Sequence, residues 1–499
     1  FPSLEPHPNM ATTSYLALAL TAVGFLALGL YFFVRIKGLA DFLPIARTGR
    51  ARVRSSGAFS ASTVATSISL ATLITAYFSL ASYFGLWLVW TAVTAAAGMY
   101  LVYLFSDRIA RKLQNYTYVP SIHEFLAHEY SAPALRPVAA LLTVIGLLLL
   151  LATELLVGSN FLALIIPGAP RVLLVAGLSL VPLIYVILGG FETVIISDRI
   201  QMVFIWIMIP SFLAALGLSQ DISLKDLAAA AVLKPVDGGL IWFLIGILLM
   251  NVPTHLSSIT VWQRISASSD KGVLQRGLLH SSIGIFLSWT LLVVIAWAAA
   301  KTAPGAAGAE ILSELLQRAA AGPLGMALVF IIIVGLYSAL LSTASTFLIA
   351  VGHTFTTDVF GWERHGTATS GSAQNKLGWS RAMILVATLG ACGIVEVFNR
   401  VGYKIEDIIF SIYGGALALF PPMTLALLKP TANLARLAPY ALLSVVIGFS
   451  AGWVVAIYGQ AHALQNLIFV SPAIGMVASF LVLLVGIFQH RKSFAEQVA

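Results

Sequence analysis

Two stretches of this sequence concentrate hydroxyl groups. In residues 60–75, SASTVATSISLATLIT, half of the sixteen positions are Ser or Thr, and Ser342, Thr343, Ser345 and Thr346 fall within five. In apolar helices such residues most often bond back to their own backbone or join neighbouring helices. Two dense patches point further, to a path for a small alkali cation. A desolvated ion needs several oxygens held close together, and helical hydroxyls with carbonyls released by an unwound helix provide them without burying a negative charge. Ser342 and Thr343 project into one quadrant of their helix, and the Ala339 carbonyl one turn earlier keeps a lone pair even while accepting a helical bond. Glu154, in LLLLLATELLVG, is the one carboxylate near the middle of a long apolar segment. Three roles are open to it: a protonated acid bonded to a neighbouring helix, a counter-charge for a cationic or amine substrate, or a proton or cation site. His255 and His280 lack the paired spacing of haem or metal ligands, so a structural or substrate-lining role is expected of each. No nucleophile–base pair supports an intramembrane enzyme.

The elements that position these groups are membrane spans. Of 499 residues 59% are apolar and 10% charged, with a mean hydropathy of +0.95, whereas a soluble chain carries about a quarter charged residues. A bilayer core about 30 Å thick takes ~20 apolar residues per helix. Segments of that length cover most of the chain and exclude a membrane barrel, whose strands alternate over about ten residues. The sequence therefore predicts an all-α polytopic membrane protein of about 13 transmembrane helices: 13–35, 58–82, 84–106, 135–166, 171–190, 195–218, 239–262, 277–300, 323–356, 380–399, 406–428, 437–458 and 466–488. The single cysteine, Cys392, excludes an internal disulfide and a four-cysteine zinc site.

An odd number of spans puts the termini on opposite sides, and cytoplasmic loops hold the excess of Lys and Arg. With the N-terminus outside, 21 of the 28 basic residues are cytoplasmic, so the net charge of +8 is topological and not a nucleic-acid footprint. The expected location is the plasma membrane, as in a bacterial inner membrane. Residues 1–9, FPSLEPHPN, precede Met10 without the features of a signal peptide. They are expected to derive from cloning, with the first span acting as an uncleaved anchor. The stretches 222–233 and 309–320 have helical periodicity and predict short amphipathic helices on the outer surface, and 365–375 predicts a flexible cytoplasmic loop. Every Lys falls in a loop or at a helix end, which argues against an antiporter-like subunit of a respiratory complex.

SALLSTAST at 338–346, followed by TTDVF at 356–360, resembles the eighth core helix of the sodium/solute symporter family, the sodium-coupled glucose, proline, sialic acid and pantothenate carriers. LGGFETVIISDRIQ at 188–201 is similar to that family's G-G-x-x-x-V-x-x-x-D-x-x-Q segment. VWQRISASSDKGVLQRG at 261–277 resembles its Q-R-x-x-[AS] loop, and YVPSIHEFLAHEY at 118–130 its V-P-E-[FY]-L stretch. The resemblance implies a LeuT-like fold: a 5+5 inverted repeat, here 58–218 and 239–428, in which the first helix of each repeat is broken at mid-membrane. Around it lie an extracellular N-terminus at 1–12, an extra helix and basic loop at 13–57, an extracellular loop at 219–238, two further helices at 429–488 and a cytoplasmic tail at 489–499.

Carried over position by position, the resemblance implies a sodium site made by the carbonyls of Ser67, Leu70 and Ala339 and the hydroxyls of Ser342 and Thr343. Asp198, with Ser345 and Thr346, resembles a second sodium site of some members. The substrate pocket is expected among Ser69, Thr72, Glu154, Asn251, His255 and Tyr413. The first broken helix has neither Gly nor Pro between Ser60 and Ala81, so hydroxyl competition and tertiary contacts must unwind it. Pro253 is expected to mark the second break. The function implied is sodium-coupled symport of a small polar solute, an amino acid or small organic acid before a sugar, with Na+ as coupling ion and no organic cofactor. The alternative is a transporter-like sensor; the chain ends eleven residues after its last span, so a sensor would signal through a separate partner.

Overall fold

The computed structural model describes residues 8–218, 233–303, 305–306, 308–362, 370–401 and 405–490. Residues 1–7, nearly all of the 222–233 stretch, residues 365–369 and the tail after 490 lie outside them. The described residues form helices, with one isolated parallel bridge between Val53 and Ser268. Ten helices are long and apolar enough to cross a membrane by length and composition. Large apolar side chains such as Val172, Leu389 and Phe488 face outward, 75%, 62% and 68% exposed, as lipid-facing residues do.

The ten helices and the thirteen expected spans differ for identifiable reasons. Arg171–Leu218 runs through the expected 171–190 and 195–218 spans, but Gly190 sits at φ 62° and turns the chain between them. No side chain fits there: a Cβ on Gly190 would lie 2.5 Å from the Phe42 carbonyl oxygen. The expected 58–82 span is interrupted, as described below, and 406–428 is divided into Ile405–Ala416, a 3-10 turn and Phe420–Leu428. Ser370–Val401 starts ten residues before the expected 380–399 span, so residues 370–375 are helical and not a loop. Polarity marks where a helix leaves the apolar layer; it does not by itself end the helix. Ala309–Ala319 forms the expected amphipathic helix, with Ile311, Leu312, Leu315 and Leu316 buried.

Gly322–Thr354 lies at the centre: 67% of its most apolar stretch is buried, against 28% for Asn9–Phe33 and for Asn375–Val401. It packs on Arg171–Leu218 and on Leu135–Ile165. Its burial brings Ser342, Thr343, Ser345 and Thr346, all 0–1% exposed, into the interior.

Two helices are discontinuous. The first ends at Ser67, passes through Ile68 at φ −93°, ψ 76°, and resumes at residue 70. The second, Gly238–Ser257, stops at Ser258, which is extended at ψ 120°, and Ile259–Ser266 follows. Pro253, the expected marker, lies inside the helix five residues before the break. A membrane helix tolerates the missing N–H of a proline where its neighbours enclose it. The break falls instead where the Ser258 hydroxyl accepts the Val261 N–H at 3.4 Å and starts a new helix.

Candidate functional site

The first break is opened by side chains. The Ser69 hydroxyl accepts the Thr72 N–H at 2.9 Å and donates to the Thr72 hydroxyl at 2.9 Å, capping the half-helix that follows. The Ala71 N–H, which a continuous helix would close on the Ser67 carbonyl, is donated to the two carboxylate oxygens of Glu154 at 3.4 and 3.3 Å. Glu154 thus sits at the positive end of a half-helix, where the peptide dipoles favour a negative group. The Ser67 hydroxyl donates to the Val64 carbonyl at 2.7 Å and accepts from the Trp289 indole at 3.2 Å. Hydroxyl competition and a tertiary carboxylate do here what Gly or Pro does elsewhere.

Thr343 connects the central helix to this break. Its hydroxyl lies 3.1 Å from the Ala339 carbonyl and 3.3 Å from the Thr66 carbonyl. Ser342 lies between Asp198 and the broken helix: its hydroxyl donates to Asp198 at 2.7 Å and lies 3.4 Å from the Thr66 hydroxyl. Because that proton goes to Asp198, both oxygen lone pairs of Ser342 stay available to a cation. Leu70 is buried as the first residue of the second half-helix. Of the five expected sodium ligands, the structure bonds Thr343 to the Ala339 carbonyl, places Thr343 and Ser342 beside Thr66, and joins Ser342 to Asp198.

Asp198 has partners that the sequence did not suggest. It accepts from the Ser62 and Ser342 hydroxyls and pairs with Arg264 at 3.2 Å. Arg264, 2% exposed, also donates to the Ser62 hydroxyl at 2.7 Å, the Thr66 hydroxyl at 2.8 Å, the Thr346 hydroxyl at 3.0 Å and the Thr260 carbonyl at 2.8 Å. Thr346 therefore reaches Asp198 through the guanidinium or through the Thr66 and Ser342 hydroxyls, and the Ser345 hydroxyl donates to the Ser342 carbonyl at 3.1 Å. The expected trio of Asp198, Ser345 and Thr346 is not joined directly. Arg264 was expected in a loop because the apolar run ends at 262. The available signal was Ser258 preceding ITVWQRIS, a cap followed by a short helix that carries the arginine inward.

A cavity of about 190 Å³ lies against both breaks. Ser67, Ser69, Thr72, Glu154, Asn251, His255, Thr343 and Tyr413 line it, so the six expected substrate residues meet at one place. They are not equally free. Asn251 donates its amide to the Thr91 carbonyl at 3.2 Å and the Thr94 hydroxyl at 3.0 Å, which fixes it to the neighbouring helix. Trp289, Phe347 and Phe449 add aromatic rings to the lining, with Arg264 and Thr260.

No family model matches the sequence, and no curated protein matches it. Solved structures do match over nearly the whole chain. A Na+-coupled sialic acid symporter, in a substrate-bound outward-open state, is 19% identical with a TM-score of 0.76, covering 94% of this chain and 96% of that one. Mhp1, a nucleobase-cation-symport-1 family transporter in a closed conformation with bromovinylhydantoin bound, is 13% identical with a TM-score of 0.56, covering 91% and 96%. The manganese transporter of Eremococcus coleocola is 14% identical with a TM-score of 0.50, covering 87% and 95%. At these identities the likeness is one of fold. This chain is a multi-pass membrane protein with the LeuT-like fold that these transporters share.

Proposed function

We propose that the protein is a sodium-coupled secondary active symporter that imports a small polar solute by alternating access, and that it performs no catalysis. The observation that carries this reading is the contact of Thr343 with the Thr66 carbonyl, one residue before the interrupted helix ends, beside the solute-sized cavity. The proposed ion ligands are the carbonyls of Ser67, Leu70 and Ala339 with the hydroxyls of Ser342 and Thr343. An ion held there ties the broken helix to the central helix, and its release frees both. Asp198 neutralises Arg264 close by, so the guanidinium does not repel the ion at full strength. Asp198, Ser345 and Thr346 are proposed as a second ion site, reached when Arg264 moves aside. Residues 58–218 and 239–428 are proposed as the two repeats, in a bacterial inner membrane with the N-terminus outside, the side that the basic loops favour.

One sodium ion moving inward across about 100 mV releases ~2.3 kcal/mol. A tenfold gradient adds ~1.4 kcal/mol, enough together to concentrate a solute about 400-fold. Equilibrium binding of radioactive sodium to the purified protein tests the ion site. Replacing Ser342 and Thr343 together with Ala removes two of the five proposed oxygens, and the sodium dissociation constant should rise at least about tenfold. Unchanged binding in the double variant would reject the assignment.

A further inference from the structure

Glu154 is the carboxylate of the cavity, and among the described residues no cation pairs with it. It is 2% exposed, and Ala71 N–H approaches its two oxygens at 3.4 and 3.3 Å. The Ser69 hydroxyl and the Leu70 N–H also approach it, and an ionised carboxylate, with about four lone pairs, keeps part of its accepting capacity for a further donor. Arg264 and His255 are the basic residues of the lining. The Arg264 guanidinium is engaged by Asp198, Ser62, Thr66, Thr346 and the Thr260 carbonyl. His255 lies against Gly98 of the neighbouring helix. The N-terminus of a half-helix would welcome an anionic group of a solute, but Glu154 fills the one that starts at residue 70 and the Ser258 hydroxyl caps the one that starts at Ile259. A bound cation favours the ionised form of Glu154, and a second carboxylate brought within a few Å of that form would meet a like charge. The remaining walls include the rings of Trp289, Phe347, Tyr413 and Phe449, whose faces attract cations.

We propose that the cavity selects a compact organic cation without a carboxylate, an amine whose charge is met by Glu154 and the surrounding rings, and that it rejects amino acids and organic acids. This inference rests on the transporter reading above and departs from the amino acid or organic acid expected from the sequence. At about 190 Å³ the cavity limits the solute to a small molecule.

The test is a thermal-stabilisation screen of the purified protein in sodium and in potassium buffers, using ethanolamine, choline and agmatine, the common amino acids, and lactate, pyruvate and succinate. A ligand of the folded state stabilises it by mass action. The expected result is saturable stabilisation by at least one of the amines and by none of the carboxylates. Glu154→Gln keeps an oxygen to accept the Ala71 N–H while deleting the charge, so it should weaken the amine about 30-fold or more. Stabilisation by any carboxylate, an amine affinity unchanged in Glu154→Gln, or no response to any amine would overturn the inference. If Glu154→Gln fails to fold, the contrast between amines and carboxylates in the unaltered protein decides by itself. Amine binding that ignores sodium would leave this inference standing and remove symport. Sodium-driven uptake of a carboxylate would do the reverse.

Discussion

Asp198 and Arg264 form an ion pair of which 0% and 2% of the side chains are exposed, 66 residues apart in sequence. Burying both charges brings little net stability, but removing one partner strands the other and costs about 3–5 kcal/mol. Asp198→Asn and Arg264→Gln should each lower stability by that amount in denaturant or thermal unfolding, while the double change recovers most of the loss. Additive losses would mean that the two side chains act independently. This pair was only half legible in the sequence. Asp198 stood out through the resemblance of LGGFETVIISDRIQ to the symporter segment. Arg264 did not, because a basic residue just beyond an apolar run reads as a loop anchor, and only tertiary packing brings it to Ser62 and Thr66. The hydroxyls themselves were legible, since their density exceeded what helix packing requires. Which way each points was not: Ser342 and Thr343 share a quadrant, yet one turns to Asp198 and the other to the broken helix.

At the scale of elements, the interruptions of the helices matter most. The first was expected from the resemblance alone, and the side-chain acceptor that Ser69 offers to a backbone donor helps to open it without Gly or Pro. The role of Glu154 in holding it open needed the packing of Leu135–Ile165 against it. The second was displaced, because proline is a weaker signal within a bundle than a serine that can cap. Gly190 marks a third change of direction, where the backbone lies against Phe42. A residue with a Cβ would be strained at φ 62° and overlap the Phe42 backbone. Gly190→Ala should therefore cost about 2–4 kcal/mol. Gly24→Ala, inside a helix with nothing within 4 Å, should hold or slightly raise the unfolding temperature. Equal unfolding temperatures for the two variants would contradict the geometry at Gly190.

Across the whole molecule, segments remote in sequence meet at one end of the bundle. Ser121 and His123 bond to Asp358, the latter at 2.8 Å, and all three are buried. Trp262 donates its indole N–H to the Pro120 carbonyl at 3.0 Å, and Gln263 and His353 are joined at 2.9 Å. These bonds tie the 118–130 stretch, the half-helix after the second break and the end of the central helix. The Val53–Ser268 bridge joins the segments that flank the two broken helices. In the proposed alternating-access cycle this end would separate to release cargo on the basic-loop side, and the proposed ion would keep the broken helix on the central helix until then. The most direct test of that account is solute accumulation in proteoliposomes carrying the purified protein, with the solute found by the stabilisation screen and an imposed sodium gradient. Accumulation well above the external concentration is expected when sodium is high outside, with collapse to equilibration when a sodium ionophore dissipates the gradient. Uptake that is equal with and without sodium would contradict it.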